Sequence, residues 1–492
     1  MENDLKQKAI SGLTWSFFDG FAFHGSNFVI SIILARILSP KEFGLIGMLT
    51  IFIAISNSII ISGLSRALIR KNNCTQKDYS TVFFYNIVSG VILYFILFFL
   101  SGTISSFFSE PLLKPLMQVF GISLIFNSFG IVPETILIKK IEFRIQARVS
   151  LISSFFCGTI AIGMALYGFG VWSLVSFSVS RFVFRSLFLW IWSSWRPSWE
   201  FSKNSFRELF GYSYKLLFSS LLDITYRNIY YLIIGKFFSA TELGYYSKAE
   251  QFGSLPSMYL NNLFSRVSFS VLSEVQGDKK RLRDIYGKLH RSMMLFTFTI
   301  MLGIAAVAKP LVLVLIGEKW MPAVIFIQLL CFAGIFFPLN SLNLNILLIH
   351  GRSDIYLFLE VVKKILVVPI IIAGINFGIK IMILGLIVNA LIAFVLNSFF
   401  SNKFINYTFF DQLRYIFPSF MVAAVVSASM FAIVEFVHVS PLALLMISML
   451  FGSVFSFILF ELFKINDYIF IKENLIRKFK SRIFKNEDSE LV

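Results

Sequence analysis

Charged and polar side chains lie on one helix face in two apolar stretches of this sequence. The first stretch carries Asp19 and Asn27, and the second carries Asp223 and Arg227. Residues spaced by four share a helix face, and a charge at membrane depth normally faces a partner or water. The two faces therefore predict a polar cavity that binds a charged ligand. The alternative is that Asp223 and Arg227 only pair with each other or brace neighbouring helices.

Four further charged residues are candidates for the same cavity: Arg181, Lys248, Glu250 and Arg266. Arg181 has an alternative role, because long basic side chains near a span end reach toward the lipid headgroups. Lys248 and Glu250 lie near the outer end of a span, and the alternative is that they belong to its rim rather than to the cavity. Arg266 ends a span, where a basic residue also serves as a cytoplasmic anchor.

Motifs for catalysis are missing from the sequence. It has no phosphate-binding P-loop, no serine- or cysteine-based catalytic arrangement and no HExxH motif. Its three cysteines lie far apart and its four histidines are scattered, which predicts neither a disulfide framework nor a metal site. We expect a transporter rather than an enzyme, with no cofactor, driven by an ion gradient or by consumption of its product.

The composition is that of an integral membrane protein. Of 492 residues, 57% are hydrophobic and 14% are charged, and the mean hydropathy is +0.79. The net charge of +17 does not indicate a nucleic-acid partner, because the basic residues fall mainly in short loops between apolar stretches. About three quarters of the 44 lysines and arginines fall on one side, so both termini are predicted to be cytoplasmic.

The apolar stretches predict an all-α, polytopic protein with about fourteen transmembrane helices. At about 20 residues per span, the spans are 13–35, 43–63, 81–100, 114–132, 149–167, 171–192, 214–234, 245–270, 289–308, 321–347, 356–378, 381–400, 415–436 and 441–463. We expect Pro256 to bend the eighth span. The basic tail, residues 464–492, is predicted to lie on the anionic inner leaflet or to be solvated.

An internal repeat organises these spans. The motif RILSPKEFGL, from Arg36 to Leu45, returns about 200 residues later as KFFSATELGY, from Lys236 to Tyr245. Each copy follows the first span of its half. The sequence therefore predicts a parallel repeat of two six-helix lobes, residues 1–199 and 200–410, followed by two additional helices within 411–463.

Several segments resemble one family, the polysaccharide transporters, which are Wzx-type lipid-linked oligosaccharide flippases. This family shares a superfamily with the multidrug and toxin extrusion (MATE) proteins. The segments are residues 38–45, 67–71 with 78–86, 168–174 and 235–249. The branch with the colanic acid exporter is the most similar.

The resemblance implies a MATE-like fold and a function in surface polysaccharide biosynthesis, whether of capsule, exopolysaccharide or O-antigen. The substrate would be an undecaprenyl-diphosphate-linked repeat unit, moved by alternating access across the bacterial inner membrane. Membrane lipids would be partners, as would a polysaccharide polymerase and chain-length proteins. Two alternatives stay open, a drug/cation antiporter of the same fold and a non-transporting membrane scaffold for polysaccharide enzymes.

Overall fold

The chain is described by a computed structural model that covers residues 20, 24–464 and 468–469, with only the backbone of Arg266. The described part is built from α-helices joined by short connections. In chain order they are α1 His24–Ile37, α2 Pro40–Ile61, α3 Leu64–Arg70, α4 Gln76–Phe108, α5 Leu113–Phe120, α6 Ile122–Lys139, α7 Phe143–Leu166, α8 Val171–Trp192, α9 Lys203–Phe237, α10 Ala240–Gly253, α11 Leu255–Glu274, α12 Lys279–Ala306, α13 Ala308–Leu315, α14 Ala323–Ile349, α15 Ser353–Phe377, α16 Ile379–Ile405, α17 Phe409–Phe436 and α18 Pro441–Leu462.

Ten helical segments among the described residues are long and apolar enough to cross a membrane. The predicted all-helical, multi-span fold is confirmed. Each of the fourteen predicted spans overlaps a helix or a pair of consecutive helices. Helices α9, α10, α11 and α15 are not among these ten. Charged residues interrupt the apolar stretches of α9 and α15, α10 is short, and α11 contains Asn261 and Asn262. The count of fourteen stays a prediction.

The eighth predicted span is broken where proline was expected to bend it. Helix α10 ends at Gly253, and α11 begins at Leu255 with Pro256 in its first turn. Proline lacks an N–H and suits the first turn of a helix, where an amide would have no helical partner. The span therefore consists of two helices rather than one bent helix.

The contacts divide the chain into two compact units, residues 1–247 and 248–492. In the first unit α2 packs on α9, α4 on α6, and α7 on α8. In the second unit α12 packs on α17, and α16 packs on both α14 and α15. The lobe limits predicted from the repeat, residues 1–199 and 200–410, describe the repeated order of the spans and not these compact units. They stay predictions.

The repeated motif begins a helix in each of its copies. Both the amide N and Oγ of Ser39 donate to Glu42 Oε2, at 2.6 and 2.8 Å, and α2 begins at the next residue. Two hundred residues later the amide N of Glu242 donates to Ser239 Oγ at 3.1 Å, and α10 begins. A serine followed three residues later by glutamate satisfies the amides of a first helical turn. This local requirement explains the spacing that the two copies share.

Candidate functional site

Helix α9 carries an ion pair in the middle of its apolar stretch. Arg227 Nε lies 3.0 Å from Asp223 Oδ2, one helical turn away, and the two side chains are 60% and 51% exposed. A neighbouring turn of α9 is held to α2 by a 2.8 Å hydrogen bond between the hydroxyls of Ser58 and Ser220. The structure thus brings together two of the predicted site residues, and it leaves both on an exposed helix surface.

Helix α8 forms an ion pair with α6 that the sequence analysis did not predict. Arg185 Nη2 lies 2.6 Å from Oε1 of Glu134 on α6, and both side chains are partly buried. The candidate Arg181 lies one turn earlier, with its guanidinium 5.2 Å from the ring centroid of Phe182. Glu134 falls just beyond the fourth predicted span, so an apolar window did not include it.

The remaining candidates are distributed over other helices. Lys248 is 2% exposed, and its Nζ donates to Gln251 Oε1 at 3.1 Å, whereas Glu250 is half-buried. Asn27 is half-buried on α1. Asp19 and the side chain of Arg266 lie outside the described residues.

Polar contacts also join the second predicted span to the fourth, and the eighth to the tenth. In the first unit Asn127 Nδ2 donates to Asn57 Oδ1 at 2.8 Å. In the second unit the hydroxyls of Ser265 and Ser341 are 3.1 Å apart. The apolar stretches predicted these spans, but they could not indicate which side chains meet. The two contacts join spans that the predicted repeat makes equivalent.

A buried polar network ties four helices of the second unit together. Tyr286 Oη donates to Asn343 Oδ1 at 2.9 Å, and Asn343 Nδ2 donates to Gln412 Oε1 at 3.0 Å. Ser401 Oγ also donates to Asn343 Oδ1 at 2.6 Å. His290 stacks on Tyr286 with ring centroids 5.7 Å apart. The hydrogen-bonded hydroxyl and amide groups of this network specify how α12, α14, α16 and α17 pack, whereas neither ring nitrogen of the buried His290 has a hydrogen-bond partner among the described residues.

Solved structures identify the class of protein that this helical architecture defines. The chain is similar to the lipid II flippase MurJ in an inward closed conformation, with a TM-score of 0.68, 15% identity and coverage of 92% of this chain and 99% of MurJ. It is also similar to an inward-facing MATE multidrug resistance transporter of the MOP superfamily, with a TM-score of 0.61 and 15% identity over 81% and 99% of the two chains. The chain therefore has a MurJ- and MATE-like fold.

Sequence similarity narrows this class to a family. Residues 33–325 match the family described as polysaccharide biosynthesis protein, and the chain belongs to this family. An uncharacterized membrane protein in the cps region of Klebsiella pneumoniae is 28% identical over 75% of this chain and 76% of its own length. The lipopolysaccharide biosynthesis protein WzxC of Escherichia coli (strain K12) is 24% identical over 75% and 76% of the two chains.

Proposed function

We propose that this protein is a flippase for a lipid-linked oligosaccharide in surface polysaccharide biosynthesis. The substrate is an undecaprenyl-diphosphate-linked repeat unit, and it moves from the cytoplasmic to the periplasmic leaflet of a bacterial inner membrane. Membership of the polysaccharide biosynthesis family is the observation that carries this proposal. The fold supports it, since one structure with this architecture is a lipid II flippase.

The exposed arginine on α9 supports an anionic substrate. The side chain of Arg227 is 60% exposed in a helix stretch of membrane-spanning length. A charge at the centre of a bilayer costs at least about 2.5–3.5 kcal/mol, so an exposed guanidinium there favours a water-filled space over lipid. A diphosphate that crosses the bilayer needs such cationic partners, because arginine binds phosphate oxygens through two parallel hydrogen bonds.

The pairing of acidic residues separates this proposal from transport of an organic cation. Asp223 lies within 3.0 Å of Arg227, and Glu134 lies within 2.6 Å of Arg185. A site for an organic cation needs a carboxylate whose charge is available to the ligand. Both of these carboxylates already have a guanidinium partner, which favours the anionic substrate.

Transport by alternating access completes the proposal. Both termini are cytoplasmic, one lobe moves against the other, and an ion gradient or consumption of the product supplies the energy. The candidate cavity residues are the intramembrane polar set of the two lobes: Asp19, Asn27, Arg181, Asp223, Arg227, Lys248, Glu250 and Arg266. The protein partners are a polymerase, which consumes the flipped repeat unit, and chain-length proteins.

Complementation tests the proposed function. The gene is expressed in bacterial strains that each lack one Wzx-type flippase and make a defined polysaccharide. Restored surface polysaccharide, with loss of the accumulated lipid-linked repeat unit, is expected in at least one strain. Increased export of organic cations without any restored polysaccharide would identify a drug antiporter instead.

A further inference from the structure

A small basic pocket lies at one end of the first unit, apart from the intramembrane charges. It has a volume of about 290 Å³ and is formed by α3, the residue after it, and the first part of α9. Its lining residues are Ala67, Arg70, Lys71, Glu208, Leu209 and Tyr212. Pockets for drug-sized ligands measure about 300–1,000 Å³, so this pocket suits a smaller group. The loop after the second span, which carries Lys71, is predicted to be cytoplasmic.

Lys71 is held by two carboxylates that differ in exposure. Its Nζ lies 3.2 Å from Asp78 Oδ1 and 3.0 Å from Glu208 Oε2. Asp78 is almost fully buried, and its Oδ2 accepts a hydrogen bond from the amide N of Thr75 at 2.9 Å. Glu208 is 63% exposed. Asp78 therefore fixes the ammonium group in place, whereas an ion pair to an exposed glutamate contributes little and exchanges readily.

Arg70 forms the second cationic group of the pocket. Its guanidinium carbon lies 4.4 Å from the ring centroid of Tyr212 on α9. A cation over an aromatic ring is attracted to it, and the several N–H donors of a guanidinium suit phosphate oxygens. Arg70 is exposed at the last position of α3, so its guanidinium is accessible from outside the protein.

Lys139 offsets the partial negative charge at the C-terminal end of α3. The last carbonyl groups of a helix carry partial negative charge, which repels an anion. Lys139 Nζ donates to the carbonyl oxygen of Leu68 at 2.9 Å and also to that of Lys71. Of the two carboxylates that contact Lys71, the exposed one of Glu208 is the one that an incoming anion can replace.

The protonation of Lys71 is secured by the same contacts. Its hydrogen bond to Glu208 raises its pKa above the ordinary value, and this effect exceeds the opposing effect of burial. The ammonium group is therefore charged throughout the physiological pH range.

We propose that this pocket binds the phosphate or diphosphate headgroup of a polyprenyl lipid at the cytoplasmic surface, with displacement of Glu208 from Lys71. Arg70 and Lys71 bind the phosphate oxygens, and Glu208 acts as a built-in competitor that releases the headgroup again. The exposed ring of Tyr212 places apolar surface beside the cations, as a ligand with a lipid chain requires. This proposal deepens the proposed flippase function and rests on it for the identity of the lipid.

Binding measurements on the full chain in phosphatidylcholine nanodiscs test the pocket. The probes are farnesyl diphosphate and inorganic diphosphate, each titrated against wild type, Arg70→Ala and Glu208→Gln. We expect farnesyl diphosphate to bind about 10- to 100-fold more weakly to Arg70→Ala, since charged hydrogen bonds are lost. Glu208→Gln should bind it several-fold more tightly, because the competing carboxylate is gone.

A neighbouring ion pair supplies matched controls. Lys77 Nζ lies 3.5 Å from Glu200 Oε2, and both side chains are largely exposed, outside the residues that line the pocket. Lys77→Gln and Glu200→Gln should bind both probes as wild type does. Affinities of Arg70→Ala and Glu208→Gln equal to these controls would overturn the proposal, as would equally tight binding of inorganic diphosphate, which would indicate a free-anion site.

The proposal and the flippase function can fail separately. If the variants change farnesyl diphosphate affinity as expected while no strain is complemented, the pocket proposal is supported and the flippase function is rejected. If complementation succeeds and neither variant differs from the controls in binding, the flippase function is supported and the pocket proposal is rejected.

Discussion

Gly44 and Gly244 occupy equivalent positions in the two copies of the repeat, and each faces the backbone of the other copy. A Cβ atom on Gly44 would lie 1.6 Å from the carbonyl oxygen of Ala240, and one on Gly244 would lie 1.9 Å from that of Pro40. Both distances are far below van der Waals contact. The first turns of α2 and α10 therefore cross so closely that only glycine fits at either position.

Alanine at either glycine should prevent this crossing. We expect Gly44→Ala and Gly244→Ala to lower the melting temperature of the purified protein and to abolish complementation, since the backbones must separate. Gly102→Ala and Gly163→Ala are the controls, because nothing lies within 4 Å of a Cβ at either position. These helical controls should be neutral or stabilising by up to about 1 kcal/mol. Wild-type behaviour of both crossing variants would show that the close approach is dispensable.

The fold could be predicted from the sequence largely because each membrane span is one continuous apolar stretch, which can be recognised without knowing its neighbours in space. Long apolar stretches located the spans, and the repeated motif marked the position after the first span of each half. Helix α9 begins at Lys203, before its predicted span at 214, because its first turns are polar and an apolar window does not detect them. The short helix α3 was not predicted as a separate element. Gly63, at a φ of +70°, separates it from α2, and hydropathy does not detect such a break.

Lateral contacts could not be predicted, because hydropathy gives the depth of a residue and not its neighbour. Glu134 and Arg185 are 51 residues apart, and Lys71 and Glu208 are 137 apart. The pair of Asp223 and Arg227 was foreseen as one of two possibilities only because both residues lie on the same helix. Sequence therefore identified the intramembrane charges but assigned few of their partners.

Three variants of α9 distinguish ligand binding by Arg227 from a bracing role. Arg227→Ala should abolish surface polysaccharide in a complemented deletion strain, normalised to the amount of protein in the membrane. If the arginine binds diphosphate, the double variant Arg227→Ala with Asp223→Asn stays inactive, although it removes the unpaired carboxylate. Arg227→Lys should transport partially, because a point charge attracts phosphate without the bidentate geometry. Full rescue by the double variant would reduce Arg227 to a structural residue.

The ion pair between α6 and α8 should contribute to stability. Arg185→Ala leaves the partly buried carboxylate of Glu134 without this partner, and a cost of about 1–3 kcal/mol is expected. Thermal unfolding in detergent measures the effect, with Arg185→Ala and Glu134→Gln combined as the comparison. The combined variant should recover part of the loss, whereas additive losses would show that the two residues act independently.

Reporter fusions test the predicted orientation. A cytoplasmic reporter should be active when fused after Asn3 and after Asp467, and a periplasmic reporter should be active after Gly168. The reason is the excess of lysine and arginine in the loops assigned to the cytoplasm. Periplasmic activity at either terminal fusion would contradict the fourteen-span arrangement.

Flipping by the purified protein tests the proposed flippase function most directly. Vesicles containing the protein and an undecaprenyl-diphosphate-linked oligosaccharide are treated with a membrane-impermeant lectin, and the fraction of accessible sugar is followed over time. We predict that inner-leaflet oligosaccharide becomes accessible faster than in empty vesicles, under an ion gradient and without ATP. Arg227→Ala should slow this exchange. Exchange no faster than in empty vesicles, for substrates drawn from every complemented strain, would contradict the proposed function.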